Sequence, residues 1–118
     1  MTKFPSRMFR WAAIYGVIVL APLYLLPLPI KAAEIQLGFV SLALTFQAIF
    51  WVIGSDPVRF RPLMPIAVVE KLVFALPALA LYFVWGRTIA AVAVFAVIDL
   101  LLGLGFFLAW RKTPLTRA

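Results

Sequence analysis

Long apolar runs alternate along this chain with short connections that hold nearly all of its charge. The runs predict helices over about 11–30, 36–53, 63–85 and 88–110. Each is close to the roughly 20 residues that a helix needs to cross the hydrocarbon core of a bilayer. The connections carry turn chemistry. Gly54 is suited to the left-handed position after a helix, Ser55-Asp56-Pro57 follows as a turn, and Pro62 and Pro65 fit the opening of a third helix. Gly86-Arg87 makes a tight turn between the third and fourth runs. The pattern predicts an all-α membrane protein, one four-helix transmembrane domain over 1–118, arranged as an up-down bundle.

Composition agrees. Hydrophobic residues make up 66% and charged residues 13%, with a mean hydropathy of +1.12, far from the roughly one-quarter charged of soluble domains. Lys3, Arg7 and Arg10 before the first run resemble the head of a secretory signal peptide. The run is longer than the roughly 7–15 residues of such a segment, however, and ends in Pro27, Pro29 and Lys31, so we read it as a retained helix.

Charge sets the expected orientation. Lys3, Arg7, Arg10, Arg59, Arg61, Arg111, Lys112 and Arg117 fall on one side, against Lys31 and Arg87 on the other. By the positive-inside rule both termini are cytoplasmic, and Trp11, Trp51, Trp110, Tyr82 and Trp85 then fall at the two interfaces. The expected location is a bacterial cytoplasmic (inner) membrane. The net charge of +7 lies at segment ends, where it meets anionic lipid head groups, so the expected partners are the bilayer and those head groups, not nucleic acid. With neither Cys nor His, the chain lacks thiolate and imidazole ligands and the usual nucleophile–base pairs, and no cofactor is expected.

The two halves are weakly alike. Ala21-Pro22-Leu23-Tyr24 matches Leu76-Pro77-Ala78-Leu79, and the stretch from Phe50 to Pro57 matches that from Phe107 to Pro114. A parallel duplication of this kind predicts a pseudo-twofold bundle.

Polar residues inside the runs are the candidates for function. Asp99 falls near the middle of the fourth run, where an ionised carboxylate costs about 2.5–3.5 kcal/mol. It reads either as a proton, ion or ligand site or as a protonated acid making one interhelical hydrogen bond. Glu70 and Lys71 lie only roughly 8–9 Å above the cytoplasmic end of the third helix, so Lys71 reads either as a lysine that snorkels to the head groups, the favoured reading, or as part of an intramembrane polar site. Being adjacent, Glu70 and Lys71 point in different directions, one inward and one at the rim. A depth difference of roughly 9 Å, with side chains leaning apart, argues against direct pairing of Lys71 with Asp99. Gln47 is matched in depth to Glu70 or Lys71, Tyr15 lies a little lower, and Thr45 and Ser41 are the hydroxyls nearest the level of Asp99. Pro77 is expected to kink the third helix and free the Val73 carbonyl. In the connection, Arg59 and Arg61 offer forks for an anionic lipid or phosphate, although topology alone accounts for them, and Asp56 caps the turn or pairs with one Arg.

Asp56, Pro57, Arg59, Arg61 and Pro62, followed by Glu70-Lys71 and then Asp99, resemble the pattern of a group of small bacterial four-helix inner-membrane proteins, loosely DoxX-like, with a D-P-x-R-x-R-P motif after the second helix. The resemblance implies the four-helix architecture and the inner membrane. Relatives in that group are associated with quinone-linked redox complexes, and for a chain without Cys or His this implies an accessory role.

Three functions are compatible with these residues. One is a non-enzymatic accessory or assembly subunit that binds a membrane partner, a lipid or its own copies. Another is a small proton-coupled transporter relaying through Asp99, Gln47, Thr45 and Glu70. The third is a membrane enzyme acting on a lipid or quinone, with Glu70 or Asp99 as acid/base.

Overall fold

The computed structural model describes residues 2–116, and Arg117 of the charge pattern lies outside them. Four helices account for most of the chain: α1 Lys3–Leu20, α2 Ala33–Ser55, α3 Met64–Phe83 and α4 Ala90–Lys112. Short 3₁₀ turns at Ala21–Leu25 and Arg61–Leu63 extend α1 and lead into α3, and there is no strand among the described residues. Counting those turns, each of the four segments has 23 residues and is apolar enough to cross a membrane.

Several boundaries differ from the sequence reading, each for a local reason. α1 begins at Lys3 rather than near 11 because its first turns have their own buried residues, Pro5 and Phe9. It stops at Leu20 because Pro22 has no N–H to give, and the chain tightens into a 3₁₀ turn. α2 runs through Gly54 to Ser55, so Gly54 serves through its size and not through a left-handed conformation. A Cβ there would meet Arg10 and the Ser6 carbonyl, and the Ser6 hydroxyl donates to the Gly54 carbonyl at 2.6 Å. The left-handed residues are Ala32, before α2, and Gly86. At Gly86 the Arg87 N–H reaches back to the Leu81 carbonyl at 2.8 Å, which closes α3 in a tight reversal. α3 continues through Pro77 to Phe83.

Cross-helix contacts fix the directions. Ser6 meets Gly54 and Tyr24 meets Ser41, so α1 and α2 are antiparallel. Arg61 Nε donates to the Thr113 carbonyl at 2.9 Å and the Thr113 hydroxyl lies against Met64 Sδ, so α3 and α4 are antiparallel as well. The two hairpins join along α1 and α4, where Phe9 and Phe106 stack with centroids 4.2 Å apart, Met8 sits beside Gly105, and Lys112 lies over Phe4. α2 and α3 touch least of all neighbouring helices.

The buried positions repeat from one hairpin to the other. Phe9, Ala12 and Gly16 of α1 correspond to Met64, Ala67 and Lys71 of α3, a shift of 55. Val40, Gln47, Phe50 and Ile53 of α2 correspond to Ala96, Gly103, Phe106 and Ala109 of α4, a shift of 56. Pro22 and Pro77 fall on the α1/α3 shift of 55. Each hairpin thus buries the same face, but the sequence match of Phe50–Pro57 to Phe107–Pro114 is one residue out of this register, since Phe106 and not the exposed Phe107 is the buried counterpart of Phe50. Under that correspondence the α1/α4 seam is equivalent to the α2/α3 seam, yet one is closed by stacked rings and the other is open.

The register of α3 against α4 depends on Arg61, whose guanidinium also lies 5.2 Å from the Trp110 ring. Arg61→Ala is expected to lower stability by about 1–2 kcal/mol, from one charge-assisted hydrogen bond and one cation–π contact. Equilibrium unfolding in mixed micelles followed by circular dichroism measures it; an unchanged midpoint would mean the Thr113 contact does not fix the register.

Candidate functional site

Lys71 is the centre of the buried polar cluster. It is 3% exposed, and its Cβ lies over Gly103, where an added methyl would approach to 3.3 Å. From there the side chain rises one helical turn along α4 to place Nζ 3.7 Å from Asp99 Oδ1, while Glu70 Oε2 approaches to 3.8 Å from the other side. The Phe50 ring lies 5.1 Å from the ammonium and belongs to a trio with Phe9 and Phe106. One cation thus stands between two carboxylates on a floor of aromatic rings.

This arrangement corrects two expectations. Lys71 does not snorkel, and it does pair with Asp99. The 3₁₀ turn at Arg61–Leu63 lengthens the third segment at its start, and the Arg61–Thr113 contact sets Lys71 opposite Gly103. Asp99 is then only four residues away along α4, roughly 6 Å, which four methylenes span against the backbone lean. The expectation that one of Glu70 and Lys71 is inward and one at the rim holds, with Lys71 as the inward residue and Glu70 half-buried at the wall.

The remaining candidates divide. Gln47 is 2% exposed, and its amide Nε2 donates to the Ala43 carbonyl at 2.8 Å while Oε1 accepts no hydrogen bond. It packs across Gly16, the counterpart of Lys71 packing across Gly103. The Tyr15 hydroxyl is buried without a hydrogen-bond partner. Thr45, by contrast, is exposed and spends its hydroxyl on the Ser41 carbonyl, so it is not part of the cluster; Ser41 bonds Tyr24. In the connection, the Arg59 N–H donates to Asp56 Oδ1 at 3.4 Å, the capping role expected of that acid. Arg59 is exposed and lies over Phe60, and Arg61 is engaged through Nε with Thr113 and through its guanidinium with Trp110.

Sequence reasoning missed Gly16, Gly103 and Phe50. The signal for the first was present: Ala12 and Gly16 form a small-xxx-small pair, which in apolar helices marks close backbone approach.

Beside the cluster, the open seam between α2 and α3 forms a groove of about 530 Å³. Phe39, Ala43 and Phe46 line it from α2, and Glu70, Phe74 and Pro77 from α3. Glu70 is the one charged residue on its walls. No family model, curated protein or solved structure matches this chain.

Proposed function

We propose that this chain is a multi-pass protein of a bacterial cytoplasmic membrane, an up-down four-helix bundle with both termini cytoplasmic, akin to the DoxX-like group. In this reading it acts as a non-enzymatic accessory subunit that seats a membrane partner or lipid chain in the α2/α3 groove. The observation that carries the reading is the unequal closing of two equivalent seams. α1/α4 is sealed by the Phe9–Phe106 stack, while α2/α3 leaves an apolar groove along the helices. The lysines and arginines of the termini and the 56–63 connection support the orientation, and large exposed side chains such as Trp11, Ile18, Val73 and Leu101 supply a surface for lipid. Purification in mild detergent is expected to recover the chain with a membrane partner or as a homo-oligomer, and Ala43→Trp, which fills the groove, is expected to release it. Recovery of a free monomer from the unaltered chain would count against the accessory reading.

A second reading, a proton-coupled carrier, is favoured by the Glu70–Lys71–Asp99 cluster, because ionisable residues inside apolar spans line proton and substrate paths more often than they serve as packing. Asp99→Asn leaves Lys71 paired with Glu70 and is expected to preserve insertion while abolishing proton-coupled uptake in proteoliposomes. Unaltered uptake would remove Asp99 from the transport path.

A further inference from the structure

We propose that the α2/α3 groove binds an amphiphilic organic cation, an apolar body carrying one delocalised positive charge, with the charge held at Glu70. The inference rests on the reading that this groove receives an apolar guest, and it names the guest's chemistry.

Charge arithmetic comes first. Lys71 supplies one positive charge to a cluster with two carboxylates, so the fully ionised cluster keeps one negative charge in excess. That excess has an outlet at Glu70, which lies on the groove wall, whereas Asp99 does not line the groove. Glu70 Oε2 is buried and accepts no hydrogen bond, so an acceptor taken out of water has only the ammonium at 3.8 Å to offset it. With Oε2 buried toward the ammonium, a cation in the groove would meet the Glu70 carboxylate from its groove side without displacing Lys71, which is held over Gly103 and the Phe50 ring.

The walls select the kind of cation. Phe39 and Phe74 face each other across the seam with centroids 5.8 Å apart, one turn beyond Glu70 on α3, and Phe46 lies one turn the other way on α2 from Ala43. Ring faces on both sides of a carboxylate favour a cation that spreads its charge and sheds water easily over a compact, strongly hydrated one. The groove volume of about 530 Å³ falls within the range of roughly 300–1,000 Å³ typical of small-molecule sites. Depth argues against a lipid amine. Glu70 stands nine residues beyond Arg61, roughly 14 Å along the helix, so a lipid head group would have to leave the interface to reach it.

The test uses the full chain in dodecylmaltoside micelles and equilibrium dialysis of tetraphenylphosphonium, with tetraphenylborate as an anion of matching shape. Saturable uptake of the phosphonium at one per chain is expected, weakened by about tenfold or more in Glu70→Gln, with no saturable uptake of the borate. Ala43→Trp keeps Glu70 and is expected to abolish phosphonium binding, so the result does not depend on Glu70→Gln folding. Equal saturable uptake of both ions, or phosphonium binding indifferent to Glu70→Gln in a folded protein, overturns the cation site; if Ala43→Trp still displaces the ions, the apolar groove itself stands. Binding unaffected by Ala43→Trp overturns the groove reading along with it.

Discussion

Lys71→Met is expected to destabilise the bundle by about 3–5 kcal/mol, the cost of removing one partner from a buried ion cluster. The side chain that replaces Lys71 has similar length and packs over Gly103 as before, so the loss is electrostatic. Asp99 and Glu70, now 3.7 and 3.8 Å from the ammonium, would be left facing an apolar group and the Phe50 ring. Combining Lys71→Met with Glu70→Gln and Asp99→Asn removes the whole cluster. That variant is expected to recover most of the loss, since exchanging a buried ion set for neutral residues is often close to neutral. Denaturation of the parent and the two variants in mixed micelles, compared as a series, separates the two contributions. A single Lys71→Met as stable as the parent would show that the ammonium does not compensate the two acids.

Gly16→Val is the second large effect. A Cβ on Gly16 would collide with the Gln47 side-chain amide, and the amide cannot swing away freely because its Nε2 is bonded to the Ala43 carbonyl and the residue is 2% exposed. Overpacking of this kind costs about 1–3 kcal/mol. Gln47→Ala opens the space, so the double variant is expected to be more stable than Gly16→Val alone. Gly103→Ala is the milder counterpart: its nearest neighbour is Lys71 Cβ at 3.3 Å, which needs a shift of a few tenths of an ångström. At Gly38 an added methyl meets nothing within 4 Å, and Gly38→Ala should be neutral or slightly stabilising. If Gln47→Ala fails to rescue Gly16→Val, the α1/α2 spacing is set elsewhere.

The spans, the two sharp turns and the capping role of Asp56 were legible because each depends on local chemistry: apolar length, proline without an N–H, a carboxylate beside an open backbone N–H. The burial of Lys71 was not. Its depth depends on where the third segment starts, and the decisive contact, Arg61 with Thr113, joins residues 52 apart in the chain. Nor could the sequence show which way Thr45 faces. These helices are apolar nearly all round, so the periodicity that orients a helix in a soluble protein is faint here, and Thr45 and Gln47, two residues apart on α2, end up outside and inside. The repeat was half visible: Pro22 and Pro77 marked it, whereas the match of Phe50 to Phe107 was one residue out of register, because composition alone does not reveal which of two adjacent phenylalanines is buried.

The close coupling of α3 to α4 bears on how the chain enters a bilayer. Released alone into lipid, α3 would carry both Glu70 and Lys71, paired with each other but lacking the second carboxylate, and ionised side chains cost about 2.5–3.5 kcal/mol each near the centre. The second carboxylate, Asp99, arrives only with the next helix. The left-handed Gly86 keeps the link between them to a few residues, short enough for α4 to fold back on α3 before either has lipid on all sides. α3 and α4 are therefore expected to enter the bilayer as a pair, so lengthening the Gly86 turn is expected to slow integration of α3 while leaving α1 and α2 unaffected.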